Sequence, residues 1–225
     1  ISAREVVIMK KILLTVTIPC LAAALSLPAA LSAAPKEIKL AKPAMTGGMP
    51  LMTALTKRQS SRSFAAKKLP DQVLSNLLWA ASGINRPGSG KRTAPTAMDK
   101  QEIVIYVALE EGLYLYAPKK HVLELIEAKD LRPLTGKQGF VDKAPLNLIY
   151  VADLSKTAGF NREDNILYAG ADTGFIGQNV YLFCASEGLS TVIRGWIDRD
   201  DLGKAMKLKS SQMIILAQTV GYPGK

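Results

Sequence analysis

The chain has 225 residues, a formal charge of +10 and 48% hydrophobic residues, which excludes a disordered or low-complexity segment and suits one domain with a sizeable core. One histidine and two cysteines exclude a structural zinc site or a Cys–His nucleophile as the basis of function. The Lys and Arg residues are scattered rather than striped, which argues against nucleic acid as a partner and leaves a small anionic ligand as the sharper reading of the charge.

Met9-Lys10-Lys11 opens a basic segment, residues 12–31 carry no charge, and Ser32-Ala33-Ala34 offers small residues for cleavage. This pattern predicts a secretory signal peptide over residues 1–34 and a secreted or periplasmic product. A run of about 20 apolar residues would also span a bilayer. Pro19, Pro28 and the small-residue end favour cleavage, so no stable membrane insertion is expected afterwards. Cleavage leaves Cys184 as the only thiol, and the fold must then rest on its core rather than on a disulfide.

Residues 35–50 mix Lys, Pro and Gly and read as an extended arm. The domain proper is expected over residues 51–225. A short helix over residues 51–58 leads into Arg58-Gln59-Ser60-Ser61-Arg62, which gathers two guanidinium groups, hydroxyls and an amide. Such a set suits phosphate oxygens, although a basic cluster at a helix end also serves as a solvated face. Pro70 and Asp71 start a second helix that Gly83 ends, with Trp79 expected in the core. Residues 85–96 form a Gly-, Pro- and Arg-rich loop, the second place where basic and hydroxyl groups collect. Residues 102–108 and 113–116 predict a hairpin, and residues 119–128 an amphipathic helix carrying His121. Residues 146–152 predict a buried strand. A long helix follows over residues 164–188, apolar on several faces, with Gly170, Gly174 and Gly177 on one side for close approach of a helix or a flat ligand. Residues 190–197 (with Gly195) and 213–220 read as strands, with a short helix over residues 200–206 between them. The sum is an α+β fold of about four or five strands around one long buried helix.

Several stretches, taken in order, resemble the nitroreductase family of flavin proteins, in particular the branch that includes peptide azoline oxidases. They are Arg58-Gln59-Ser60-Ser61-Arg62-Ser63-Phe64, residues 74–85, Arg92-Thr93-Ala94-Pro95-Thr96-Ala97, residues 174–188, Val192-Ile193-Arg194-Gly195-Trp196 and Val220-Gly221-Tyr222-Pro223. The resemblance implies a nitroreductase-like fold with a central, mainly antiparallel sheet flanked by helices. It also implies an FMN-dependent oxidoreductase working as a homodimer on a small-molecule acceptor such as a nitro compound or quinone, with NAD(P)H as a possible electron donor. Carried over, Arg58, Gln59, Ser60 and Arg62 take the FMN phosphate and ribityl chain. Pro95, Thr96 and Ala97 lie along the ring, and the backbone of Arg194 and Gly195 supports the flavin N5 edge. No side-chain acid or base and no metal is required. The same resemblance leaves two alternatives: a peptide azoline dehydrogenase, or an exported scaffold that kept the fold without the flavin. Thr96 stands where Ser is usual, and the chain stops at Lys225 where family members usually continue to another basic phosphate contact.

Overall fold

The structure is a computed structural model that describes residues 34–225. The expected leader over residues 1–34 lies outside them, apart from Ala34. In chain order the elements are β1 (Glu37–Lys39), α1 (Leu51–Lys57), α2 (Asp71–Ser82), β2 (Ile84–Arg86), β3 (Lys91–Arg92), β4 (Ile103–Leu109) and β5 (Gly112–Ala117). They continue with β6 (Val122–Glu127), β7 (Leu146–Asp153), α3 (Arg162–Glu187), β8 (Ser190–Arg194), α4 (Arg199–Ala205) and β9 (Gln212–Gly221). Seven strands form one sheet in the order β1-β6-β5-β4-β7-β9-β8, antiparallel at every step. β2 and β3 make a separate small hairpin inside the stretch expected as a loop.

Alternation explains why β4 and β7 are apolar almost throughout. Ile103, Ile105 and Val107 of β4, with Leu148 and Tyr150 of β7, pack on the side of α2 and α3. Tyr106, Ala108, Ile149 and Val151 point the other way, onto Leu202 of α4 and Leu131. With both faces covered, neither strand has a solvent side to mark with polar residues. α2 begins after Pro70 with Asp71 in its first turn, stops at Gly83 and buries Leu77 and Leu78 completely.

Two expectations change. Residues 119–128 form β6 instead of a helix. His121 closes the turn after β5 in a left-handed conformation (φ 52°), and the chain then pairs back on β5. In so short a run, helical spacing and alternation fit the same apolar residues, and the neighbouring strand decides. The His121 ring is held between the Tyr116 hydroxyl at 2.9 Å and Ser75 Oγ at 2.8 Å. The sheet also has more strands than expected, because β1 inside the N-terminal arm pairs with β6.

α3 buries one face only. Ala169, Asp172, Thr173, Ile176, Gly177, Val180, Tyr181 and Cys184 face the core, whereas Ile166, Leu167, Tyr168 and Phe175 are exposed. Gly188, at φ 68°, ends the helix in the left-handed conformation that glycine accepts without strain. Of the three expected small-residue contacts, only Gly177 is tight, since a Cβ there would meet Ile193 Cδ1 at 2.7 Å.

The end of β8 is fixed by a buried charge. Arg194 donates to Thr219 Oγ1 at 2.9 Å, Thr135 Oγ1 at 3.0 Å, Asn147 Oδ1 at 2.7 Å and the Thr135 carbonyl. Burial lowers its pKa to about 10, so it stays charged at neutral pH and needs those acceptors. Replacing it by Met keeps the bulk and removes every donor. R194M is expected to lose roughly 2–4 kcal/mol of unfolding free energy, read from the urea midpoint; an unchanged midpoint would show that the guanidinium adds nothing to stability.

Candidate active site

Past α1 the chain runs along β8, the last strand of the sheet and therefore an open edge. Ser61 N–H donates to the Thr191 carbonyl at 3.0 Å, and Ser190 Oγ donates to Ser61 Oγ at 3.1 Å. Phe64 bridges to Pro223, and Ala65 N–H donates to the Tyr222 carbonyl. Tyr181 of α3 joins these parts. Its hydroxyl meets Ser60 Oγ at 2.8 Å and accepts the Ile193 N–H at 3.0 Å, while the Arg58 guanidinium lies 5.3 Å from its ring centroid. Between α1, α3 and β8 lies a cleft of about 520 Å³, lined by Lys57, Arg58, Gln59, Ser61, Gly188 and Ser190 among others and by no carboxylate. Lined this way, the cleft suits an anion.

β8 has a readable parity. The Thr191 carbonyl and Ile193 N–H both point outward from the sheet, so the intervening groups pair with β9. By the same alternation the Arg194 N–H faces β9; the strand ends there, and Gly195 follows it, its carbonyl accepting the Ile197 N–H at 3.0 Å. Gly195 and Trp196 are exposed. The Arg194 side chain is committed to the core network and is turned away from any ligand.

The turn containing Pro95, Thr96 and Ala97 is anchored elsewhere on α3. Ala97 N–H donates to Asp172 Oδ2 at 2.9 Å. The Thr96 hydroxyl accepts the Gln101 N–H at 3.0 Å and donates to Glu102 Oε2 at 3.3 Å. Within this turn Met98, Asp99 and Gln101 have φ of 49°, 56° and 49°. Left-handed backbone at residues other than glycine costs about 1–3 kcal/mol each, so the surroundings must hold it. Glu102 and Asp172 are each only 2% exposed. Burial foremost, with the Asp172 charge and a hydrogen bond to that residue, raises the pKa of Glu102.

Arg58 and Gln59 therefore line one cleft, with Ser60 on Tyr181 and Gly195 just past the end of β8. Arg62 is exposed and does not line the cleft. Pro95, Thr96 and Ala97 do not line it either; they sit at Asp172, about 13 Å along α3 from Tyr181. Tyr181, Glu102 and Asp172 were not anticipated. Asp172 carried a signal, as a carboxylate among the apolar residues of a helix, whereas Tyr181 carried none. Trp79, expected in the core, is half-buried and borders clefts of about 500 and 670 Å³.

Known proteins share this fold. The family model described as the nitroreductase family matches residues 55–222. A provisionally named nitroreductase of Methanocaldococcus jannaschii is 30% identical over 176 residues, spanning 74% of this chain and 88% of the relative. The crystal structure of a provisionally named nitroreductase from Ralstonia eutropha aligns with a TM-score of 0.82 at 43% identity, over 85% of this chain and 91% of that one. An NADPH:FMN oxidoreductase from Vibrio harveyi, complexed with NAD+, shares the fold with a TM-score of 0.58 at 18% identity, over 78% of this chain and 69% of that one. With most of its length matched by the family model and by these relatives, the chain belongs to the nitroreductase family and is an oxidoreductase of that family.

Proposed function

We propose that the chain is an exported, FMN-dependent reductase that passes electron pairs from NAD(P)H to a small nitro or quinone acceptor and works as a homodimer. The observation that carries this is the cleft beside β8, with Arg58 and Lys57 at its wall, no carboxylate among the described residues that line it, and Gly195 just past the end of that strand. A volume of about 520 Å³ lies within the usual range for cofactor clefts.

The donor set fits a phosphate-bearing flavin. Arg58 and Lys57 would take the phosphate, with Gln59 and Ser61 filling the remaining acceptor positions. The Ser60 hydroxyl, tied to Tyr181, orients the segment rather than gripping the phosphate itself. The Gly195 N–H supplies a backbone donor for the ring edge, the kind of fixed dipole that stabilises developing negative charge. Bound FMN would supply the hydride and electron transfer, leaving binding, orientation and water exclusion to the protein. The V. harveyi relative, an NADPH:FMN oxidoreductase complexed with NAD+, gives the donor its chemical precedent.

Two copies complete the site. The exposed stripe of α3 contains Leu167, Gly170, Gly174 and Phe175. A Cβ at Gly170 or Gly174 would meet nothing within 4 Å in this chain, so the smallness of those residues serves a neighbour outside it. A second protomer packed on this stripe would bring its own turn of Pro95, Thr96 and Ala97, which flanks the stripe at Asp172, toward the first protomer's cleft. The leader pattern of residues 9–34 supports export.

Purified protein is expected to carry or take up FMN and to show its yellow absorbance; colourless protein that gains no bound FMN on titration refutes the reading. R58A should weaken FMN binding by roughly 1.5–3 kcal/mol, as for a lost charge-assisted contact. An unchanged dissociation constant would place the phosphate elsewhere. F175E, on the exposed stripe, should leave folding intact, shift the protein to a monomer by light scattering and weaken FMN binding with it. A dimer that persists would put the interface on another face.

A further inference from the structure

The buried carboxyl groups behind Thr96 play no part in the chemistry above, and their hydrogen bonding does not close if both are ionised. Glu102 Oε1 is buried without a partner. Its Oε2 accepts from the Thr96 hydroxyl. The neighbour left for Oε1 is the Asp172 carboxylate, another acceptor. No cation in range closes on Oε1: Arg92 Nε is itself buried without a partner, so it reaches no carboxylate oxygen within hydrogen-bond distance. Arg92 Nη1 donates to Ser82 Oγ at 3.1 Å, and Lys156 Nζ donates to the Gln101 carbonyl at 3.1 Å. Two carboxylates cannot share a dry site while both carry charge, but one proton between them converts a repulsive pair into a donor and an acceptor.

We propose that Glu102 and Asp172 share one proton and together clasp the 96–101 turn, acting as positioning residues for the face that Thr96 and Ala97 present to the bound cofactor. Glu102 holds the near side through the Thr96 hydroxyl, and Asp172 holds the next residue through the Ala97 N–H. Between these anchors and Glu102 lie the three left-handed residues Met98, Asp99 and Gln101. The clasp thus sits where the backbone conformation is least favourable by itself. The role assigned to Thr96 and Ala97 rests on the FMN reading; the clasp does not.

The sign of the pH dependence follows. The raised folded-state pKa of Glu102 means that the clasp is intact below the ordinary carboxylate range and loosens as pH rises through that raised value. The charges around it are Asp172 on α3, Arg92 on β3 and Lys156 after β7, with Asp99 and Tyr116 acting on Arg92 and Asp153 on Lys156. The backbone hydrogen bond at Glu102 and the Thr96 hydroxyl oppose the shift, and burial prevails.

Three measurements on the purified chain test this. Infrared spectra should show the carbonyl stretch of a protonated carboxylic acid that persists as pH rises above the ordinary carboxylate range, and E102Q should remove it. Trypsin cleavage at Lys100, inside the turn, should rise with pH after normalisation to the unfolded chain. In E102Q that rise should vanish, because the amide can donate to Asp172 and accept from Thr96 at any pH. D172A should increase cleavage at Lys100 about tenfold or more. No acid band, or a band that survives in E102Q, overturns the shared proton even if D172A fails to fold. Unchanged cleavage in folded D172A overturns the clasp. FMN titration of the same samples separates the two readings. Normal FMN binding without the acid band refutes the shared proton alone. The band and cleavage pattern without FMN binding refute the cofactor reading alone.

Discussion

The outer edge of β8 governs how the site is built. An edge strand presents backbone N–H and C=O groups that must find partners or water, and an uncovered edge invites pairing with other chains. Here the Thr191 carbonyl is taken by Ser61 and the Ile193 N–H by the Tyr181 hydroxyl. Those two bonds bring the 58–61 segment and α3 against the same edge. They also fix the phase of the strand, so that the Arg194 N–H turns inward to β9. The cleft is the space left between a covering segment too irregular to be a strand and the helix that supplies its anchor.

α3 works as a ruler for the rest. A helix with one buried face still has room for polar groups, provided each is satisfied. Asp172 and Tyr181 are the two that matter, and each holds a different non-helical segment: the 96–101 turn and the 58–61 segment. Gly177 between them lets β8 approach, with Ile193 packed where a Cβ would stand. Their spacing on one rigid element sets how far apart the two halves of the site lie. In one protomer that distance keeps the turn outside the cleft, consistent with a site completed by a second copy.

Much of this was legible where local chemistry dictates structure. Pro70 and Gly83 bounded α2, and the apolar runs of β4 and β7 read as buried strands because covered strands have no polar face to show. β6 was misread because its four apolar residues, Val122, Leu123, Leu125 and Ile126, satisfy either period, and only pairing with β5 chooses between them. β1 left no trace because three residues in a Lys- and Pro-rich arm become a strand only when β6 offers its edge. At the site, Arg58 and Gln59 were found from composition, since guanidinium and amide groups advertise an anion. Tyr181 was not, because a tyrosine's role depends on what its hydroxyl meets in space. Arg194 shows the limit of residue type as a guide: a basic residue in a motif can serve the core, here by joining Thr135, Asn147 and Thr219.

The cleft also has an electrostatic problem that explains its composition. Both α1 and α3 end there, at Lys57 and Glu187, so two helix C-termini with their partial negative charge face the space. A helix N-terminus would have drawn a phosphate with backbone N–H groups alone; here the dipoles work against one. The opposition is modest, about 0.3–1 kcal/mol for a charge near an exposed helix end. A charge-assisted hydrogen bond from a side chain contributes about 1.5–3 kcal/mol and so outweighs it. Lys57 and Arg58 are placed to do both tasks, since a cation in the last turn of α1 stabilises that helix end whether or not an anion is present. That dual role accounts for basic side chains rather than a glycine-rich backbone nest at this position, and for the absence of any carboxylate from the lining.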